Sequence, residues 1–159
     1  MLLIAKVNSF GKEKYMNGQS KGKILGVDYG DVRTGLAVSD ALGFLASGIG
    51  TVRPGGMRNT AVLVAEEAKK HNAVLIVIGL PKNMDGSEGF RAEAVRAFEA
   101  LLAEYTDVPR VFYDERLSTV EAHRFLSITD TRGKKRKEVV DTLSAQIILQ
   151  NYLDANAQK

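Results

Sequence analysis

Four carboxylates stand where this chain could do chemistry: Asp28, the adjacent Asp114 and Glu115, and Asp141. Asp28 closes a short apolar run from Lys23 to Val27, at the end of a strand where open α/β sheets bind ligands. A charge there is costly to bury without a metal, a cation or backbone donors. The bland alternative is an Asx-turn that caps the Tyr29-Gly30 bend. Asp141 shares a helix face with Ala145, Ile148 and Tyr152, so it interrupts an apolar stripe. Its bland alternative is a first-turn acid that complements the helix dipole. Asp114 and Glu115 follow a short strand directly, and one of them should face the site while the other turns away. Strand alternation does not decide which, because Glu115 already lies in the turn. An ion pair with Arg116 is their ordinary role. Glu121 is accounted for as the capping-box partner of Ser118. Acids converging from a strand end, a loop and a helix make an oxygen-rich cage for two divalent cations roughly 4 Å apart. Such a pair activates water for in-line attack on a phosphodiester and stabilises the leaving oxygen.

The rest of the sequence removes competing chemistries. It has no cysteine and only two histidines, His71 and His123, which excludes thiolate zinc sites, cysteine nucleophiles and multi-histidine metal sites. Oxygen ligands remain, and they favour Mg2+ or Mn2+. Ser39, Ser118 and Ser144 lack the G-x-S-x-G context of a nucleophile elbow. Neither a G-x-x-x-x-G-K-[ST] loop nor a G-x-G-x-x-G turn opening a helix is present, so nucleotide motors and nicotinamide enzymes are set aside. The formal charge of +3 permits a nucleic-acid partner without establishing one. The basic residues are concentrated at Arg132, Lys134, Lys135, Arg136 and Lys137, with no acid among them, just ahead of the helix that carries Asp141. That placement suits contact with a phosphate backbone, the alternative being a solvated loop. Arg33, Lys82, Asn83 and Arg116 occupy neighbouring loops and are weaker candidates for phosphate contacts.

Positioning these groups takes a layered domain. At 159 residues, 45% hydrophobic and 26% charged, the chain fits one globular domain with a sizeable core. Residues 1–22 read as a flexible arm, 23–155 as the domain and 156–159 as a tail. Short apolar runs at Lys23 to Val27, Gly35 to Ser39 and Phe44 to Val52 predict an antiparallel meander. Met57 to His71 has helical periodicity, and Ala73 to Leu80, apolar throughout, predicts a strand covered on both faces. The next helix is expected to be capped by Ser87 and to bury Phe90, Ala94, Val95, Phe98, Leu101 and Leu102. A fifth strand at Val111 to Tyr113, a helix from Ser118 to about Leu126 and a last helix from about Glu138 to Leu153 complete the chain. The right-handed crossover rule then gives a five-stranded mixed sheet of order 3-2-1-4-5. No apolar run is long enough to span a bilayer, so no membrane association is expected and the cytoplasm is the default compartment.

Gly26-Val27-Asp28-Tyr29-Gly30, with Arg33-Thr34-Gly35 and Ala37-Val38-Ser39-Asp40, resembles the opening motif of the YqgF/RuvX family. Ile78-Gly79-Leu80-Pro81 with Asn83-Met84-Asp85-Gly86-Ser87 is similar to its second block. Asp114-Glu115-Arg116-Leu117-Ser118-Thr119-Val120-Glu121-Ala122 is similar to the third. Lys134-Lys135-Arg136-Lys137 with Val140-Asp141 and the stretch Ala145 to Leu153 is similar to the last, so the resemblance covers nearly all of Lys23 to Leu153. It implies an RNase H-like fold and a metal-dependent nuclease, described as a Holliday junction resolvase and as the nuclease maturing the 5′ end of pre-16S ribosomal RNA. Carried over, Asp28 is the first-strand metal ligand, Glu115 or Asp114 the second acid, and Asp141 the acid of the last helix. In junction resolvases of this superfamily the second acid usually closes the fourth strand, whereas this strand ends in Gly79-Leu80-Pro81, which puts ligation of the same metal in question. The arm departs as well: Met16 gives a start closer to the family's, and residues 1–15 are expected to be an unstructured extension or a misassigned start. The favoured substrate is a ribosomal RNA precursor, with branched DNA as the alternative. A monomer serves the first, whereas symmetric cutting of a junction needs a homodimer. A non-catalytic nucleic-acid-binding module is the other class, and three carboxylates facing a phosphate argue against it. A sugar-kinase-like nucleotide binder needs a second lobe that this length does not hold.

Overall fold

A computed structural model of the chain describes residues 22–53, 55–116 and 133–157, with side chains from 139 onward in the last segment. Five strands form one sheet: β1 (Lys23–Asp28), β2 (Thr34–Ser39), β3 (Ala46–Val52), β4 (Ala73–Leu80) and β5 (Arg110–Asp114). Their spatial order is β3-β2-β1-β4-β5, as the connection rules predict. The meander pairs β1 with β2 and β2 with β3 antiparallel, while β4 and β5 join parallel to β1. Among the described residues three helices cover the sheet: α1 (Met57–Lys70), α2 (Phe90–Leu102) and α3 (Gly133–Ala157). No helix among the described residues is long and apolar enough to cross a membrane.

The central strands β1 and β4 bury both faces, which is why they read as unbroken apolar runs. On one face Leu25, Val27, Ile76 and Ile78 pack against Val64 and Ala68 of α1 and Val95, Phe98 and Leu102 of α2. On the other, Ile24, Leu75 and Val77 pack against Ala145, Ile148, Leu149 and Leu153 of α3. α3 also holds the outer edge of the meander. Gln150 Oε1 accepts from the Ala46 amide at 2.9 Å, and Gln146 Nε2 donates to the Ala46 carbonyl at 3.1 Å.

Three local expectations change. The last helix begins at Gly133 rather than near Glu138, so Lys134 to Lys137 belong to its first turns and are not a loop ahead of it. Gly89, not Ser87, precedes α2, and no side chain caps that helix. Ser87 instead donates from its hydroxyl to Asp85 at 2.6 Å, closing a tight turn. Phe90 is 81% exposed, because the buried stripe of α2 runs through Ala92, Val95, Phe98 and Leu102 and Phe90 falls on a different face of the same turn. The expected helix from Ser118 to Leu126, the arm through residue 21 and Arg132 lie outside the described residues.

Candidate active site

The site is built at the carboxyl ends of β1, β4 and β5. Asp28 ends β1, and one step past the registered pair Val27↔Ile78 stands Gly79 of β4. β5 continues in parallel register, Leu80↔Asp114, and the Glu115 amide donates to the Leu80 carbonyl at 3.3 Å. A Cβ on Gly79 would run into Oε2 of Glu115 and lie 2.6 Å from Cδ1 of Ile148. The missing side chain at the end of β4 is therefore the space that the Glu115 carboxylate occupies. The second acid arrives from one strand further out, and the gap left by glycine lets it lean back towards Asp28.

The adjacent acids Asp114 and Glu115 have different surroundings. Asp114 turns to Arg116, whose Nη2 stands 2.7 Å and Nε 2.8 Å from its Oδ2. Burial works against ionisation of Asp114, but the side-chain and backbone hydrogen bonds from Arg116 outweigh it and hold the carboxyl below its usual range. Asp114 is thus occupied by its ion pair. Glu115 goes the other way: burial raises its carboxyl, Arg91 opposes, and Asp114 adds to the rise. Asp28 is displaced furthest. Burial comes first, then the charges of Glu115 and Asp141, with Arg91 pulling the other way, and the carboxyl is pushed well above the usual carboxylate range.

Asp141 reaches this edge from the opposite direction. A Cβ on Gly35 of β2 would collide with the Asp141 carbonyl, so only a glycine lets α3 lie this close to the strand. Asp141 lies more than two turns into α3, too deep to act as a first-turn acid. Its Oδ2 accepts a hydrogen bond from Arg33 Nε at 2.6 Å, with both side chains partly buried. The three acids therefore do not stand as a closed cage: among the described residues, no group of three or more histidine, aspartate or glutamate side chains is arranged to hold a metal. Among the described residues, Asp28 and Glu115 have no cation bonded to them. The alternative of an Asx-turn at Asp28 does not form, since no hydrogen bond ties its carboxylate to another described residue. Partly buried like charges with oxygen donors suit a hard divalent cation, so the residues present fit Mg2+ or Mn2+ at Asp28 and Glu115.

The expected phosphate contacts fare differently. Arg33 is engaged by Asp141 and Arg116 by Asp114. Asn83 Nδ2 donates to Ser87 Oγ at 2.9 Å and is used up in its own turn. Lys82 is half-buried beside these loops and helps to lower Asp114 and Glu88. Lys134, Lys135, Arg136 and Lys137 open α3. Sequence reasoning passed over Arg91, whose charge acts on both Asp28 and Glu115. The available signal was its spacing: Arg91 falls on the same stripe of α2 as Val95, Phe98 and Leu102.

Sheet order, flanking helices and a partly buried acid pair at the carboxyl edge define an RNase H-like domain. The chain belongs to the RuvX family, described as Holliday junction resolvase, whose sequence profile matches residues 22–155. It is 46% identical over 134 residues to a protein of Myxococcus xanthus, covering 84% of this chain and 89% of that one. A protein of Heliobacterium modesticaldum is 43% identical over 135 residues, covering 85% and 91%. Both carry the name "Putative pre-16S rRNA nuclease". Among solved structures, RuvC of T. thermophilus in complex with a Holliday junction substrate has a TM-score of 0.52 at 14% identity, covering 86% of this chain and 96% of that one. Fowlpox virus resolvase in complex with Holliday junction DNA has a TM-score of 0.51 at 12% identity, covering 84% and 97%. At these identities the structural likeness bears on the fold alone.

Proposed function

We propose that this protein is a divalent-metal-dependent endonuclease that hydrolyses phosphodiesters of structured nucleic acid, with 5′-end processing of a pre-16S ribosomal RNA as its favoured task. The observation that carries the reading is the Asp28–Glu115 pair. Two partly buried carboxyl groups, at the end of β1 and just past the end of β5, stand at one sheet edge, and burial raises both out of the usual carboxylate range, a cost to ionisation that a bound cation would offset. Asp28 and Glu115 would hold a Mg2+ or Mn2+ ion, which supplies Lewis-acid charge and a nucleophilic water at neutral pH. Asp141 adds negative charge from α3 while Arg33 fixes its orientation. The shared name of relatives at about 45% identity supports ribosomal RNA as the substrate class.

The start of α3 supports a polyanionic ligand. Four cations occupy the first turns of a helix that has no acid in its first turn. Cations at that end oppose the helix dipole, so they do not serve the helix itself. An approaching phosphate backbone turns the same arrangement into an attraction. Cleavage of two substrates side by side, a pre-16S 5′ leader RNA and a four-way DNA junction, tests the reading with Mg2+ or Mn2+ and with Asp28→Asn as control. Metal-dependent cutting of the leader, absent in the variant, is expected. Symmetric cuts confined to the junction would shift the substrate to branched DNA, the reading that the family's description favours. No cleavage of either would leave a binding module.

A further inference from the structure

α2 carries one residue that its apolar stripe does not explain. Val95, Phe98 and Leu102 are 3%, 0% and 0% exposed and lie against the sheet. Four residues before Val95 on the same face stands Arg91, a cation where the pattern asks for an apolar side chain. The helix is fixed in register because Phe98 stacks on Tyr29 with ring centroids 4.5 Å apart, and Tyr29 directly follows Asp28. Arg91 lies seven residues before Phe98, about 10 Å along the axis towards the carboxyl ends of the strands. It is exposed there, on the layer of the sheet opposite to α3.

The other arginines near the edge are occupied. Arg33 is bound to Asp141, Arg116 to Asp114, and Arg96 to Glu88 through Nε at 2.6 Å and Nη2 at 2.9 Å. Arg91 has neither hydrogen bond nor ion pair among the described residues, and the Phe98–Tyr29 stack sets its turn of α2 at the sheet edge that Asp28 closes. An exposed cation at that edge with no partner among the described residues is available for a third party. Guanidinium presents a planar fork of donors that matches two phosphate oxygens. The N-terminus of α2, open and without a side-chain cap, adds a favourable field for the same anion.

Building on the nuclease reading above, we infer that Arg91 is a catalytic residue that grips the non-bridging oxygens of the scissile phosphate from the α2 side, opposite the Asp28–Glu115 pair. It holds the phosphate against the acids and neutralises the charge that develops on those oxygens as water attacks.

Single-turnover cleavage of the leader RNA by Arg91→Ala and Arg91→Lys, with thermal midpoints to verify folding, tests the assignment. Arg91→Ala should cleave about 100-fold more slowly, and Arg91→Lys should recover part of the loss. Binding of the same RNA, measured in the Asp28→Asn background, should weaken less than about 10-fold, and the slope of log Kd against log salt should fall by about one phosphate. A counter-ion that only relieves the acids would change the midpoint and leave that slope alone. An Arg91→Ala rate within about threefold of the unsubstituted protein would overturn the assignment. Should the unsubstituted protein cleave neither RNA nor junction, the nuclease reading fails by itself, and the binding slope still decides whether Arg91 grips a phosphate.

Discussion

At Asp28 the folded chain holds a carboxyl group that gives up its proton reluctantly, because burial and the neighbouring acids disfavour the charged form. Its pKa is higher folded than unfolded, so the native state binds more protons across the window from the usual carboxylate value of 3.8 upward. Stability therefore falls as pH rises through that window. Asp28→Asn removes the effect, so the variant should melt above the unsubstituted protein at about pH 7, by about 2–4 °C for each kcal/mol relieved, and the gap should close towards about pH 4. Thermal melts over that range check the sign, and a variant that melts lower at neutral pH would deny the strain. Gly79 gives a second prediction at this scale. Gly79→Ala places a methyl where the Glu115 carboxylate lies, and since that carboxylate ends a flexible side chain it can shift. Cleavage should fall by about tenfold or more, the cost of a misplaced catalytic group, and the thermal midpoint should drop as well because the methyl also crowds the buried Ile148 side chain. Asp28 was readable from the sequence because a charge closing an apolar strand is expensive unless a ligand or a turn holds it. Glu115 and Asp114 were not separable, since the choice depends on a glycine in a neighbouring strand and on Arg116 capturing one of them. The pairing of Arg33 with Asp141 spans 108 positions, and no local pattern encodes it.

Among the elements, α3 decides how the acids from the meander and the helix meet. It rests on β2 at Gly35, where even one added methyl strikes backbone at Asp141. Backbone does not yield as a side-chain tip does, so Gly35→Ala should destabilise the fold by about 1–3 kcal/mol, read from denaturant midpoints, and displace Asp141 from Arg33. The opening turns of α3 give a further test. Replacing Lys134, Lys135, Arg136 and Lys137 together by alanine should leave the helix at least as stable, because each cation there opposes the dipole. Binding of the leader RNA should weaken, and its salt slope should fall by roughly 0.7 to 0.9 for each phosphate no longer neutralised. An unchanged slope would mean that the run touches no phosphate. Sequence periodicity placed the body of α3 correctly through Ala145, Ile148 and Tyr152, but its start was misread because a glycine and a cluster of cations resemble a loop. Phe90 was misread for the opposite reason. Its spacing matches Ala94 and Leu101, but the stripe that is buried runs through Ala92, Val95, Phe98 and Leu102, and an apolar residue at the helix start did not reveal which face that would be.

Over the whole molecule, strand order was the most legible property. Three short runs joined by turns must form a meander, and a fully apolar strand between two helices must enter the middle of the sheet beside the first. That order alone brings Asp28 and the end of β5 to one edge. What the sequence left open was how the elements share it: a glycine gap filled by Glu115 and an arginine holding Asp141. A divalent cation bound at the pair should stabilise the folded chain, by about 2.7 kcal/mol at 100 times its Kd, and should do far less for Asp28→Asn. Melts with Mn2+ and without it measure that difference independently of any substrate. The most direct test of the Asp28–Glu115 pair as the hydrolytic centre is a side-by-side cleavage of pre-16S leader RNA in Mn2+ by the unsubstituted protein, Asp28→Asn, Glu115→Gln and Asp114→Asn. Loss of cleavage in Asp28→Asn and Glu115→Gln, with Asp114→Asn still cutting, is the predicted result. Activity surviving in Glu115→Gln but lost in Asp114→Asn would contradict it.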